Sequence, residues 1–226
     1  MNNFFAELEL GFNRHADQPA LILSGQDDWS YAELQQQINR AAAQLAAFGA
    51  GAGDRVLVQL PKSPENLALY LACLKLGLVY VPLNTGYTAA ELDYFVSDAE
   101  PVLYVGEQHR SDVVSATLQL RDAERLLVFS NGASTSDDLA IPLTAFRATD
   151  DLAAILYTSG TTGRSKGAML SHGNLASNAH ALSEEWGWQA SDVLLNPLPI
   201  FHVHGLFIAS HCALLHATPM IFFEKF

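Results

Sequence analysis

The chain has 226 residues, half of them hydrophobic, which is enough apolar material for a sizeable core in one or two domains and excludes a disordered chain. Twelve Lys and Arg stand against 24 Asp and Glu, a formal net charge of −12, the wrong sign for a nucleic-acid partner or an anionic membrane surface. The two cysteines, Cys73 and Cys212, lie far apart in apolar segments and read as buried free thiols of a reducing compartment. No cation precedes Arg14, which argues against a signal or transit peptide, so the expected location is cytoplasmic.

In chain order, Phe4, Phe5, Leu8 and Phe12 recur at helical spacing and predict an amphipathic helix. Ser30 and Glu33 form a capping box before Leu34, Ile38, Ala41, Ala42, Leu45 and Phe48, with Gly49 placed to end that helix. Val56 to Leu60 reads as a buried strand. Ser63 as cap and Pro64 at the first helical position then start a helix ending near Gly77. Val79 to Leu83 is the next strand; Thr88 and Glu91 repeat the capping box, Val102 to Val105 is a strand, and Arg125 to Phe129 another after a helical stretch. This alternation predicts an α/β chain with helix-flanked, mostly parallel sheets. Asn131 to Asp138 is the most linker-like segment, read as a surface loop within one lobe.

The apolar run Leu152 to Leu156 predicts a strand that ends in a phosphate-gripping loop. From Thr158 to Gly167 stand five hydroxyl residues (Thr158, Ser159, Thr161, Thr162, Ser165), three glycines (Gly160, Gly163, Gly167) and two cations (Arg164, Lys166). Glycines let backbone N–H groups approach a ligand, hydroxyls donate to phosphate oxygens, and a lysine neutralises charge. The Walker A pattern fails at two positions: counted from Gly160, Ser165 replaces the second glycine and Gly167 the Ser/Thr. Gly163-Arg164-Ser165-Lys166-Gly167 also matches G-x-S-x-G, which would make Ser165 a hydrolase nucleophile. That reading needs a sharp strand-to-helix turn, whereas Ala168 to Leu170 reads as another strand. Ser171 can cap a helix beginning near Asn174, and Val193 to Leu195 is a strand. In Pro197 to Phe207, the prolines on both sides of Leu198 predict an extended backbone, with His202 and His204 facing one side. A metal site from His202, His204, His211 and His216 is an alternative, although its spacing fits no standard zinc pattern. Val193 to Phe223 lacks Asp, Glu, Lys and Arg, but its prolines, Asn196 and four histidines suit a buried core better than a membrane helix.

The run Tyr157 to Gly167 resembles the phosphate-loop signature of the adenylate-forming superfamily, which comprises acyl-CoA synthetases, peptide-synthetase adenylation domains and firefly-type luciferases. Leu74 to Asn84 resembles its early core motif and Pro199 to Leu206 its later aromatic-histidine motif. Pro82 to Pro101, with the Pro199 to Phe207 run, looks most like the malonyl-CoA synthetases. The resemblance implies an AMP-forming acid–CoA ligase: a carboxylate, malonate or methylmalonate, attacks the α-phosphate of ATP, and coenzyme A takes the acyl group. It implies that Thr158, Ser159, Gly160, Thr161, Thr162, Gly163 and Lys166 hold the phosphates, with Thr162 beside Mg²⁺. It places His202 and Lys166 in catalysis, and His202 and His204 against the acid, where His204 would meet a second carboxylate. Residues 1–226 would form the N-terminal portion of the large AMP-binding domain, a first lobe to about 150 and the phosphate loop and start of the acyl pocket in 151–226, without the C-terminal domain. In relatives the Mg²⁺-holding acid, the ribose aspartate, the adenine motif and the adenylation lysine lie beyond the last matched motif. A nucleotide-binding module without turnover therefore stays open, and apolar surface around Ile208 to Phe223 is expected to support self-association.

Overall fold

The structure is a computed structural model that describes residues 3–106, 126–128, 140–158 and 165–223. Helix α1 (Phe4–Arg14) buries Phe4, Phe5, Leu8 and Phe12, the stripe its spacing predicts. Asn3 caps it: Oδ1 accepts from the Phe5 N–H at 2.9 Å, while Nδ2 donates to the carbonyls of Leu74 and Ala145, both at 2.9 Å. The cap thus fixes the helix start and its seat in one residue.

The capping devices read from the sequence form. Before α2 (Tyr31–Ala47), Ser30 Oγ accepts from the Glu33 N–H at 3.2 Å and Glu33 Oε2 accepts from the Ser30 N–H at 2.6 Å. Thr88 and Glu91 repeat this before α4 (Ala89–Ala99), and Ser171 and Asn174 before α5 (His172–Glu185). Helix α3 (Pro64–Leu76) starts on the Ser63 cap and stops at Gly77, whose φ of 68° lies in the left-handed region. Every residue from Asn66 to Lys75 is buried, because NLALYLACLK offers no polar face; a helix of that pattern must be covered on all sides. The charge within that buried run, Lys75, meets Glu9 Oε1 at 3.2 Å and donates to Asn39 Oδ1 at 2.8 Å.

Strands β1 (Pro19–Leu23), β2 (Trp29–Ser30), β3 (Arg55–Gln59), β4 (Val79–Pro82), β5 (Leu103–Gly106), β6 (Leu126–Val128), β7 (Leu152–Thr158), β8 (Lys166–Ser171), β9 (Leu194–Asn196) and β10 (Met220–Phe222) form two sheets among the described residues. One has the order β6-β5-β3-β4-β7-β8, parallel except for the β7/β8 pair; the other has the order β2-β1-β10-β9, parallel except for β1/β2. Side chains alternate between faces, as the two-residue period of a strand demands. Val56, Val58, Tyr80, Leu103 and Val105 enter the main core with α1, α2 and α3, while Leu57, Val81 and Tyr104 pack on Leu92, Phe95 and Ala99 of α4. The chain is α/β with helix-flanked, mostly parallel sheets. The helical stretch expected before Leu126 and the linker-like Asn131 to Asp138 lie outside the described residues.

The backbone after Pro197 corrects the sequence reading. It does not run extended: the chain turns at Ile200 and enters a π-helix (His204–Ser210) that continues into α6 (His211–His216). Gly205 permits this, since a Cβ there would overlap the Pro199 carbonyl, so the helix start folds back onto the proline backbone. His202 and His204 therefore lose the two-residue alternation expected to align them. The expected apolar face around Ile208 to Phe223 is mostly buried; Phe223 is exposed there, together with Val193 and Leu195 at the β9 edge. Cys73 and Cys212 are buried free thiols. Among the described residues no helix is long and apolar enough to cross a membrane.

At Gly77 a Cβ would lie 2.6 Å from Arg147 Cδ in addition to the positive φ, whereas Gly187, with φ of 61°, has open space around it. Gly77→Ala is expected to lower the unfolding free energy by about 2 kcal/mol and Gly187→Ala by about 1 kcal/mol. Urea denaturation measures both, and equal losses would mean that the Arg147 contact costs nothing.

Candidate functional site

The β7/β8 hairpin carries the phosphate-loop candidates. Its register places Thr158 opposite Lys166 and Tyr157 opposite Gly167, so the hydroxyl and ammonium residues at the two ends of the loop share one mouth, both exposed. Gly167 allows the strands to lie this close, because a Cβ there would sit 2.7 Å from Ile155 Cγ2. Ser159, Gly160, Thr161, Thr162 and Gly163 lie outside the described residues.

Helix α4 approaches the same mouth with two residues that the motif reading missed. Tyr94 Oη donates to the Ser165 carbonyl at 2.6 Å, and Tyr157 Oη donates to Asp98 Oδ2 at 2.6 Å. Tyr157 packs on Phe95 with ring centroids 4.6 Å apart and on Tyr94 at 6.2 Å. Burial first, then the hydrogen bond and charge of Asp98, raise the Tyr157 pKa and keep its hydroxyl a donor. The available signal was Tyr94 and Asp98 four residues apart on one helical face, but their partners are 71 and 59 residues away.

A second constellation precedes the histidine segment. Lys62, only 8% exposed, follows β3 and donates to the carbonyl of Asn196 at 2.5 Å and to its Oδ1 at 3.4 Å, with Nζ 4.2 Å from the Phe222 ring centroid. Asn196 Nδ2 donates to Ser210 Oγ at 3.0 Å, and Ser210 Oγ to the Gly205 carbonyl at 2.8 Å. Burial lowers the Lys62 pKa to about 8, with no carboxylate partner among the described residues. Because β3, β9 and β10 end at this lysine and β7 runs parallel to β4 and β3 in its sheet, the carboxyl ends of both sheets open on one side. Ligands of parallel sheets bind there. His202 and His204 follow Asn196 on this side; both are exposed, and His202 packs on Phe201 with centroids 4.5 Å apart.

Two alternative readings lose their geometry. Ser165 is followed by strand β8 in an antiparallel hairpin, not by a helix, so no nucleophile elbow forms. Among the described residues no group of three or more His, Cys, Asp or Glu could hold a metal ion. His211 is buried and paired through Nε2 with Tyr70 Oη at 2.7 Å, and His216 stacks over Trp188. Burial lowers the His211 pKa to about 3 and raises that of Tyr70, so the tyrosine donates to a neutral imidazole.

Residues 8–226 match the family of AMP-binding enzymes. The chain belongs to that family. Among solved structures, apo MatB from Rhodopseudomonas palustris, a malonyl-CoA synthetase, is similar over the whole of this chain and 45% of its own, at 45% identity and a TM-score of 0.86. The ATP-bound form of MatB is similar at the same identity and TM-score. Among curated AMP-binding relatives, an oxalate–CoA ligase of Arabidopsis thaliana is 33% identical over 211 residues, 88% of this chain and 41% of that protein. A feruloyl-CoA synthase of a Streptomyces species is 33% identical over 197 residues, 87% of this chain and 39% of that protein. The chain thus spans about two fifths of the length of these curated relatives.

The Lys62 geometry yields a pH signature. Its folded pKa lies below the ordinary lysine value, so burial of the charge costs stability in full below pH 8. From pH 8 to 10.5 the folded chain releases the proton while the unfolded chain keeps it, and stability rises through that window. Urea midpoints of the wild type should climb relative to Lys62→Met between pH 8 and 10.5. Parallel curves would show that the ammonium is not buried.

Proposed function

We propose that residues 1–226 are the N-terminal, phosphate-gripping portion of an AMP-forming acid–CoA ligase that activates malonate or methylmalonate. The observation that carries the reading is the pairing of Thr158 with Lys166 across the mouth of a hydroxyl-rich hairpin, at the carboxyl end of a parallel sheet. Family membership and likeness to an ATP-bound MatB support a nucleotide as the occupant. In this reading the Lys166 ammonium pairs with the β- and γ-phosphates, and hydroxyls of Thr158, Ser159, Thr161 and Thr162 donate to their oxygens. Little covalent work falls to the protein, since positioning and neutralisation of phosphate charge dominate such a step. The donors described at the mouth suit phosphate oxygens rather than a bare metal, so Mg²⁺ enters with the nucleotide, beside Thr162. It neutralises phosphate charge when bound. Coenzyme A is the second substrate, received after acyl-adenylate formation.

The preference for malonate rests on the likeness to MatB over the whole chain, higher in identity than that to the oxalate and feruloyl relatives. His202 orients the reacting carboxylate, and His204 donates to the distal one. Self-association belongs to the same reading, supported by the exposed Val193, Leu195 and Phe223. Light scattering should give a mass above that of one chain, and a clean monomer removes this part.

The test is calorimetric ATP binding by the 226-residue chain, alongside AMP and pyrophosphate release with malonate, methylmalonate and acetate supplied separately, with and without coenzyme A. We expect ATP binding that weakens at least about tenfold in Lys166→Ala, as loss of a charge-assisted contact implies, without AMP release by this span. Unchanged ATP binding in Lys166→Ala overturns the phosphate role. Malonate-dependent AMP release would instead make this chain a complete catalyst.

A further inference from the structure

The mouth of the β7/β8 hairpin has little to hold it. Strand β8 is the edge of its sheet, with β7 as its one neighbour among the described strands, and none of its residues from Lys166 to Ser171 is buried. The backbone that carries Lys166 is therefore held by the ladder to β7 and by Leu170 against the core, with no strand on its outer side among the described residues. We propose that Tyr94 and Tyr157 are positioning residues for a polyphosphate: their hydroxyls, bonded to the Ser165 carbonyl and to Asp98, moor both arms of the hairpin to α4 and set where Lys166 and Thr158 stand. This inference rests on the phosphate reading of the hairpin.

The Ser165 carbonyl belongs to the peptide plane that supplies the Lys166 nitrogen, so the 2.6 Å bond from Tyr94 fixes the plane from which the lysine side chain departs. Tyr157 immediately precedes Thr158, and its 2.6 Å side-chain bond to Asp98 ties the opposite arm to α4. The mooring post is itself rigid. Helix α4 is closed at its start by the Thr88 and Glu91 capping box, and it buries Leu92, Phe95 and Ala99 against the sheet. Arg55 holds its end, donating from Nε to the Ala99 carbonyl at 2.8 Å and from a guanidinium NH₂ to the Glu100 carbonyl at 2.7 Å. Both moorings are hydroxyl bonds that a phenylalanine deletes without opening a cavity, since the Tyr94, Phe95 and Tyr157 rings keep their stack. The arrangement follows the general requirement that a lysine with four rotatable carbons be placed by its backbone before its charge can discriminate.

The experiment is calorimetric titration of the 226-residue chain with Mg²⁺ and inorganic tripolyphosphate, repeated with ATP, alongside thermal unfolding. Tyr94→Phe and Tyr157→Phe should each weaken both ligands by the same factor, roughly three- to tenfold for one lost hydrogen bond, with additive or greater loss in the double variant. Tyr31→Phe serves as the structural control: its buried hydroxyl donates to the Thr218 carbonyl at 2.9 Å, so the variant should unfold at lower temperature with tripolyphosphate affinity unchanged. Wild-type affinity in both hairpin variants, while Lys166→Ala weakens binding, overturns the positioning role and leaves the phosphate reading standing. Affinity lost only in proportion to thermal stability, as a merely structural hydroxyl would give, overturns it as well. Unchanged affinity in Lys166→Ala removes the phosphate reading and the moorings' role with it.

Discussion

The constraint on which this structure depends is the burial of α3. A helix with no polar face cannot lie at a surface, so the chain must supply a wall on every side. Strands β3, β4 and β5 supply one through Val56, Val58, Tyr80, Leu103 and Val105, helices α1 and α2 supply another, and the π-helix with α6 closes the remainder through Phe207 and His211. Tyr70 shows how demanding this position is: its ring contacts Tyr80, Phe207 and His211, and its hydroxyl is satisfied by the buried Nε2 of His211. The two sheets are thereby held with their carboxyl ends toward one side.

Charge is placed against the trend of the molecule at that side. The chain carries −12, yet Lys62 is buried with neutral acceptors and Lys166 stands exposed at the hairpin mouth. A uniformly acidic surface repels a polyanion at long range, so recognition has to come from short-range donors inside a Debye length. This division between distant repulsion and local attraction lets the site discriminate by geometry. In the proposed reading, the mooring of the hairpin would matter more here than on a basic protein, where bulk charge compensates for imprecision.

What was legible in the sequence was what neighbours in the chain decide. Ser30 with Glu33 and Thr88 with Glu91 announced two helix starts because both members of each box lie within one turn. Ser63, Pro64 and Gly77 bracketed α3 for the same reason. The hydroxyl-rich hairpin was legible because its donors are consecutive. The π-helix was not: Pro197 and Pro199 favour extension locally, and only the contact of Gly205 with the Pro199 backbone reverses the chain. Tyr94, Asp98 and Lys62 escaped because each acts on a residue 59 to 134 positions away, a distance no periodicity records.

The pairing of β1 with β10 joins Leu21 to Met220. On a ribosome, β1 emerges almost two hundred residues before its parallel neighbour. At about 5–20 residues per second it waits roughly 10–40 s with its inner edge bare. During that interval the nascent chain holds Ala20 and Leu21, both destined for complete burial, with the antiparallel β2 as its one strand neighbour. The second sheet is thus a late-closing seam, in which β1 gains its parallel neighbour only when Met220 to Phe222 have been made.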